Sequence, residues 1–162
     1  MNMKRKTRID SVQRAVLAND VKELMLALER GEEVNLKDQD GRTPLFQAAV
    51  HGNTALASEL IPHGADVNAK DNVGETPLHF AAREYRINMA RFLLEHGAQV
   101  NAQDIHGNTA LARAVFASEG RGGMIKLLLQ HSADKSLKNK YGVSAEDLAK
   151  SISNYDVIQF LS

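Results

Sequence analysis

The chain has 162 residues, 20 Lys and Arg against 20 Asp and Glu, a formal net charge of zero and a sequence pI near 7.0. It contains no Cys, which excludes disulfide frameworks, thiolate zinc sites and cysteine nucleophiles. The neutral balance argues against an electrostatically driven nucleic-acid binder, and no apolar run approaches the roughly 18 residues of a membrane span.

The N-terminus, MNMKRKTR, is basic, but Ile9, Asp10 and Ser11 follow it in place of an apolar stretch. No secretory signal is therefore expected, and the expected compartment is the cytoplasm. Residues 1–8 are set apart as a basic arm and 9–162 as one domain. Residues 10–30 suit a pair of helices, with Val12, Ala15 and Val16 on the first. Asp20 caps the second, which carries Leu24, Ala27 and Leu28. The polar run Lys37-Asp38-Gln39-Asp40-Gly41 forms a turn. Thr43 then caps a helix whose first position is Pro44, where no backbone N–H is missed. Ala48 and Ala49 keep that helix thin, so a neighbour can stack closely. Pro62 falls in the last turn of the following helix and should end it early. Gly64 closes it, where positive φ is wanted.

The same order then recurs. Gly41-Arg42-Thr43-Pro44-Leu45 returns 33 residues later as Gly74-Glu75-Thr76-Pro77-Leu78, and after another 33 as Gly107-Asn108-Thr109-Ala110-Leu111. His63-Gly64-Ala65-Asp66-Val67-Asn68 returns as His96-Gly97-Ala98-Gln99-Val100-Asn101, with fainter copies at Gly31–Asn35 and His131–Asp134. Second helices show apolar stripes at i, i+3, i+4: Met89, Phe92 and Leu93, then Met124, Leu127 and Leu128. The fourth copy is two residues longer; Ser118–Gly123 replaces a shorter turn such as Val50–Asn53, and its glycines predict a flexible surface loop. The chain ends with Gly142–Ala149 and the apolar Val157, Ile158 and Leu161.

A 33-residue period carrying Thr76-Pro77-Leu78-His79-Phe80-Ala81-Ala82 resembles the ankyrin repeat family, over roughly residues 8–162. The resemblance implies an all-α repeat solenoid of stacked helix-turn-helix units with short β-hairpin-like fingers. Five units are expected: 9–37, 38–70, 71–103, 104–138 with its insertion near 119–123, and a C-terminal cap at 139–162. The first and last are degenerate, as terminal repeats facing water are. Three positions depart from the pattern. Phe46 stands where the signature has His, and Tyr85 and Ser118 occupy the place of Gly52 between paired helices, where a Tyr at positive φ would be unusual.

The bare residues offer little chemistry. His63, His96 and His131 are copies of one repeat position, and stacked helices lie roughly 8–10 Å apart, too far to share an ion bound at about 2.0–2.1 Å. Asp38, Asp71 and Asp104 are likewise turn-forming copies. Gly120-Arg121-Gly122-Gly123 lacks the strand and the Lys-Ser/Thr of a phosphate loop, and no G-x-S-x-G elbow occurs. No catalytic residue, metal or cofactor is assigned.

The resemblance implies binding of another protein by a monomer through the finger tips and first helices. Its contact positions fall on Gln39, Asp40 and Arg42; Asn72, Val73 and Glu75; Ile105, His106 and Asn108; and Lys140 and Tyr141. On the first helices they fall on Val50 and His51, Arg83 and Glu84, and Phe116 and Ala117. Val73, Ile105, Tyr141, Val50 and Phe116 stand out, because the scaffold asks for no apolar group there; Phe116 and Tyr141 are the strongest candidates. Small free-standing proteins resembling this one include cell-cycle kinase inhibitors and bacterial immunity proteins, so inhibition by occlusion fits. Two alternatives remain open: a nucleic-acid or membrane-surface binder using the basic arm with Lys135, Lys138 and Lys140, and an enzyme with a site at the insertion around Gly120.

Overall fold

The computed structural model describes residues 11–152 and 156–161; the basic arm lies outside them. Nine α-helices form among the described residues: α1 Ser11–Leu17, α2 Val21–Glu29, α3 Pro44–His51, α4 Thr54–Leu60, α5 Pro77–Arg83, α6 Ile87–Glu95, α7 Ala110–Phe116, α8 Gly123–Gln130 and α9 Ala145–Ser151. A 3-10 turn, Ile158–Leu161, follows and packs on α8 and α9. Each first helix contacts the next (α1, α3, α5, α7, α9), and the second helices α2, α4, α6 and α8 form a parallel row. This is the all-α repeat solenoid expected from the 33-residue period. No helix among the described residues is long and apolar enough to cross a membrane.

The core runs continuously between the two rows. Leu45, Leu56, Leu60, Leu78, Met89, Leu93, Leu111 and Met124 are buried in it, together with the paired alanines of α3 and α5. Short helices of this length do not stand alone in water; burial of one apolar stripe against each neighbour stabilises them. The terminal unit is closed by Val157 and Leu161, both buried, as its apolar pattern predicted. At the other end, Leu17, Met25 and Leu26 of the first unit are exposed.

The fingers are stacked turns more than hairpins. A single isolated bridge, Gln103 with Thr109, is the only strand-like pairing among the described residues. What builds each finger is one side-chain oxygen. Asp38 Oδ1 accepts from the amides of Asp40 and Arg42, and Asp71 Oδ1 from those of Val73 and Glu75. Asp104 Oδ1 accepts from His106 and Asn108, and Asn139 Oδ1 from Tyr141 and Val143. The turn-forming role assigned to the aspartates is therefore what they do. Consecutive fingers are then joined by backbone bonds: Asn72 N–H to Asp40 O, Ile105 N–H to Val73 O, and Lys140 N–H to His106 O, each 2.9–3.0 Å. The stack is close enough that a Cβ on Gly107 would sit 2.9 Å from Asn139 Cα, at a φ of +82° that only glycine adopts freely.

A second ladder runs along the other edge. Asn35, Asn68 and Asn101 each donate to a carbonyl one unit on (Gly64, Gly97, Ser132) and accept an amide N–H from the same unit (Asp66, Gln99, Asp134). These asparagines were visible as repeat markers, but their reach across units was not.

Helix starts follow the sequence with one failure. Asp20, Asn53, Thr109 and Ser144 cap their helices through side-chain oxygens. The amide and hydroxyl of Thr76 both donate to His79 Nδ1, at 3.1 and 2.9 Å, and His79 Nε2–H donates to Asn108 O at 3.1 Å. That ties unit three to the finger of unit four. Phe46 cannot do this. Its ring is buried edge-on against Phe80, centroids 5.4 Å apart, and the buried Thr43 hydroxyl has no hydrogen-bond partner. Pro62 acts as expected: α4 stops at Leu60, whereas α6 reaches Glu95, the residue 33 places beyond Pro62.

Two expectations about the inter-helix turns need correction. Tyr85 does take the left-handed conformation of Gly52, with φ of 55° against 70°. Ser118 does not; the left-handed residues of the longer turn are Glu119 and Gly120. The insertion is also not a loose loop. The Tyr85 hydroxyl donates to Arg121 O and accepts from Met124 N–H. Arg121 lies 4.1 Å from the Tyr85 ring centroid and donates to the carbonyls of Ser118 and Ala117. Gly122 is pressed on the Phe160 ring, leaving no room for a Cβ. A tyrosine accepts an unfavourable φ, and its side chain fastens the segment that the glycines would otherwise leave free.

Candidate functional site

The first helices and the fingers beside them form one surface of the stack. Position by position, its rows read Gln47, Phe80, Arg113, Leu148 and Val50, Arg83, Phe116, Ser151 along the helices, and Arg42, Glu75, Asn108, Val143 along the fingers. Its chemistry differs between the two ends.

Across units two to four the surface is closed by its own ion pairs. Arg42 reaches Asp40 at 3.3 Å and Asp71 at 3.7 Å. Its guanidinium and that of Arg83 both lie on the Phe80 ring, 4.9 and 4.4 Å from the centroid. Arg83 pairs with Glu75 at 3.1 Å, and Arg113 bridges Glu75 at 2.9 Å and Asp104 at 2.7 Å. The carboxylates are the buried partners: the Glu75 and Asp104 side chains are 5% and 1% exposed. Burial alone would raise the Asp104 pKa. The amides of Asn108 and His106, the Asn108 side chain and Arg113 more than reverse this and hold it below the ordinary 3.8. Burial pulls the neighbouring His79 below its ordinary 6.5, opposed by its bond to Asn108 O and by Glu75 and Asp104.

Beyond Arg113 the surface opens. Phe116 is 77% exposed and Tyr141 75%. Between α7 and the fourth finger lies a groove of about 210 Å³, bordered by Phe116, Ala112, Val143, Leu148 and Arg113. Asn108 and Asn139 meet on its floor through an amide–carbonyl bond of 2.9 Å.

The predicted contact residues divide accordingly. Phe116, Tyr141, Val73 and Ile105 are exposed apolar groups, and Gln39, Asp40, His51, Asn72, Glu84, His106 and Lys140 are also at the surface. Ala117 and Asn108 are half-buried, the latter inside the finger stack. Glu75 is a correction: at a finger position, it is buried because two arginines converge on it. Val50 is a second, since it packs on the core and its carbonyl accepts from Arg86 Nε at 3.0 Å. Arg42 and Arg83 are already paired. Arg113, Phe80, Val143 and Leu148 were not anticipated. The signal was present: Arg113 stands in the repeat register where Phe80 stands one unit earlier, a charge replacing an aromatic.

His63 and His96 each place Nδ1 on the carbonyl four residues back in their own helix, at 2.8 and 2.7 Å. No cluster of His and acidic residues able to hold a metal is found among the described residues.

The architecture is that of a helical repeat solenoid. Family profiles for ankyrin repeats match it, one described as three copies over residues 12–104 and another as many copies over residues 86–129. The chain belongs to the ankyrin repeat family. Ankyrin repeats are generally protein–protein interaction modules, typically without enzymatic activity. A search of curated proteins finds no match.

Proposed function

We propose that this chain binds a partner protein through the concave face of its repeat stack, and that occupying the partner's surface is its activity. The observation that carries this reading is the pair Phe116 and Tyr141. Two aromatic rings more than 70% exposed on a folded surface do no packing for the scaffold. Aromatic side chains beside cations are the usual centres of binding energy. The fold supports the reading further by spending its other concave charges on internal ion pairs, so the open aromatic end is where a partner gains contact area. Such binding acts by masking or inhibition, in the manner of a regulatory or immunity-type inhibitor, as a cytoplasmic monomer.

The test is affinity capture from native lysate with the wild-type chain and with Phe116→Ala/Tyr141→Ala. A specific protein retained by the first and lost by the second, with unchanged circular dichroism, supports the reading. Equal retention by both removes the aromatic pair from the interface.

A further inference from the structure

Resting on that concave-face reading, we propose that the groove between α7 and the fourth finger is a docking site for an acidic peptide segment of the partner that inserts one large apolar side chain. Three observations carry this.

The first is size and lining. At about 210 Å³ the groove takes one side chain; drug-sized ligand and cofactor pockets run to about 300–1,000 Å³. Phe116, Ala112, Val143 and Leu148 give it apolar walls. Apart from the buried Arg113 Nε, which has no hydrogen-bond partner, its side-chain polar groups are engaged: Asn139 Nδ2 donates to Asn108 Oδ1, and Ser144 Oγ donates to Asp147 Oδ2 at 2.8 Å. The walls therefore select an apolar group and leave hydrogen bonding to the rim.

The second is the charge of the rim. No carboxylate borders the groove, and its one charged lining residue is Arg113. Lys138 and Lys140 flank the finger on either side of Asn139. Lys138 feels the Asp147 carboxylate, but the Lys140 ammonium joins no ion pair among the described residues.

The third is a substitution that the turn itself does not require. The turn residue is Asp38, Asp71 and Asp104 in three fingers, and Asn139 in the fourth. Asn139 makes the same two bonds at 2.9 and 3.0 Å that Asp104 makes at 2.8 and 2.9 Å. The turn is equally well built with the amide. Two things change: the amide adds a bond from Nδ2 to Asn108 Oδ1, and the anion is absent only at the finger bearing two lysines and opening on the groove. A second copy of this chain is a poorer fit, because isologous pairing of this end would gather Lys138 and Lys140 of both copies in one small contact. A nucleic acid fits less well than a peptide. The Arg113 guanidinium is already held by Glu75 and Asp104, and two lysines make a small phosphate footprint.

The test selects phage-displayed random dodecapeptides on the full chain and measures the enriched peptides by fluorescence anisotropy. The expected peptides carry acidic residues around one aromatic or leucine side chain. Lys138→Glu/Lys140→Glu and Phe116→Ala should each weaken them by about tenfold or more, with thermal melting unchanged. Replacing the peptide's Asp and Glu by Asn and Gln should do the same, and the affinity should fall with added salt. Neutral or basic peptides whose amide shifts map to α5 and α7 would overturn the acidic-segment proposal while leaving the concave-face reading intact. Peptides mapping to α2, α4 and α6 would overturn both. Absence of enrichment, or tighter binding of an oligo-dT strand abolished by the lysine reversals, would also overturn the proposal.

Discussion

Replacing Arg113 by methionine tests whether its guanidinium holds the buried carboxylates. Arg113 Nη2 lies 2.7 Å from Asp104 Oδ2 and 2.9 Å from Glu75 Oε1, and neither carboxylate side chain is more than 5% exposed. Breaking a buried pair by removing one partner costs about 3–5 kcal/mol. Two features reduce that figure here. Glu75 keeps Arg83 at 3.1 Å, and Asp104 keeps the amides of His106 and Asn108. Arg113 is itself 30% exposed, so water already screens part of its field. The expected cost of Arg113→Met is about 2 kcal/mol, a fall in Tm of roughly 4–8 °C. Asp104→Asn keeps the turn, as Asn139 demonstrates, and should cost about 1 kcal/mol. The double variant is the discriminating one: once the carboxylate is gone, losing its cation matters less, so the two costs should fall short of additivity by about 1 kcal/mol. Urea unfolding followed by far-UV circular dichroism measures all four proteins. A cost for Arg113→Met below about 0.5 kcal/mol, or strict additivity, would refute the claim that this cation compensates the buried charge.

Thr43→Val should stabilise the fold by about 0.5–1 kcal/mol, because it removes a buried hydroxyl with no partner, while Thr76→Val should cost about 1–2 kcal/mol by breaking the tie through His79; paired urea titrations give both signs. His79 has its folded pKa below the unfolded 6.5, so the unfolded chain takes up its proton first. Its contribution is complete above pH 6.5 and is lost as pH falls below that value, so Tm should drop between pH 7.5 and 5 in the wild type and drop less in His79→Phe. Asp104, held below 3.8, adds its own loss only in a lower window, as pH falls below 3.8, so the two limbs separate. Tyr85→Phe removes the hydroxyl that fastens the insertion and should raise amide exchange across 118–124 while costing about 1–2 kcal/mol; unchanged exchange there would mean that Arg121 and Phe160 hold the loop without it.

The repeat was legible because each of its elements is built locally. A Thr before Pro, an Asp two residues before an amide, or a Gly after an apolar stripe acts on its own few neighbours, and apart from the uncapped Thr43 these residues did what their type dictates. Departures from the repeat were harder to read, since their meaning lies in another unit. Phe46 could be seen to forfeit a histidine tie, but its edge-on contact with Phe80 joins residues in different repeats. Glu75 looked like a surface residue because it falls at a finger-tip contact position of the repeat; its burial follows from Arg83, and from Arg113 of the next unit, closing over it. Tyr85 looked only like a misfit for a glycine. Its reason is Arg121, in the following repeat, which its hydroxyl and ring both hold. The glycines of 120–123 signalled freedom, which the side chains of two other units remove.

The exact balance of 20 cations and 20 anions conceals a division of labour along the stack. In units two to four the charges are spent inward: Arg42, Arg83 and Arg113 neutralise Asp71, Glu75 and Asp104, and Phe80 separates two of the guanidiniums. A surface whose charges are already paired has little net field to offer a partner, and breaking those pairs to bind would cost more than it returned. The fourth finger departs from this scheme twice, by exchanging the turn aspartate for Asn139 and by leaving Lys140 without an ion-pair partner among the described residues. Beside it, Phe116 occupies the register of Arg83, so the guanidinium that covers an aromatic in one unit is replaced by a bare aromatic in the next. Both changes leave the scaffold intact and act in the same direction, toward an apolar, cationic end. The two ends of this face therefore differ: at one lie Lys140 and an apolar groove, and along the rest of the stack the charges are already satisfied.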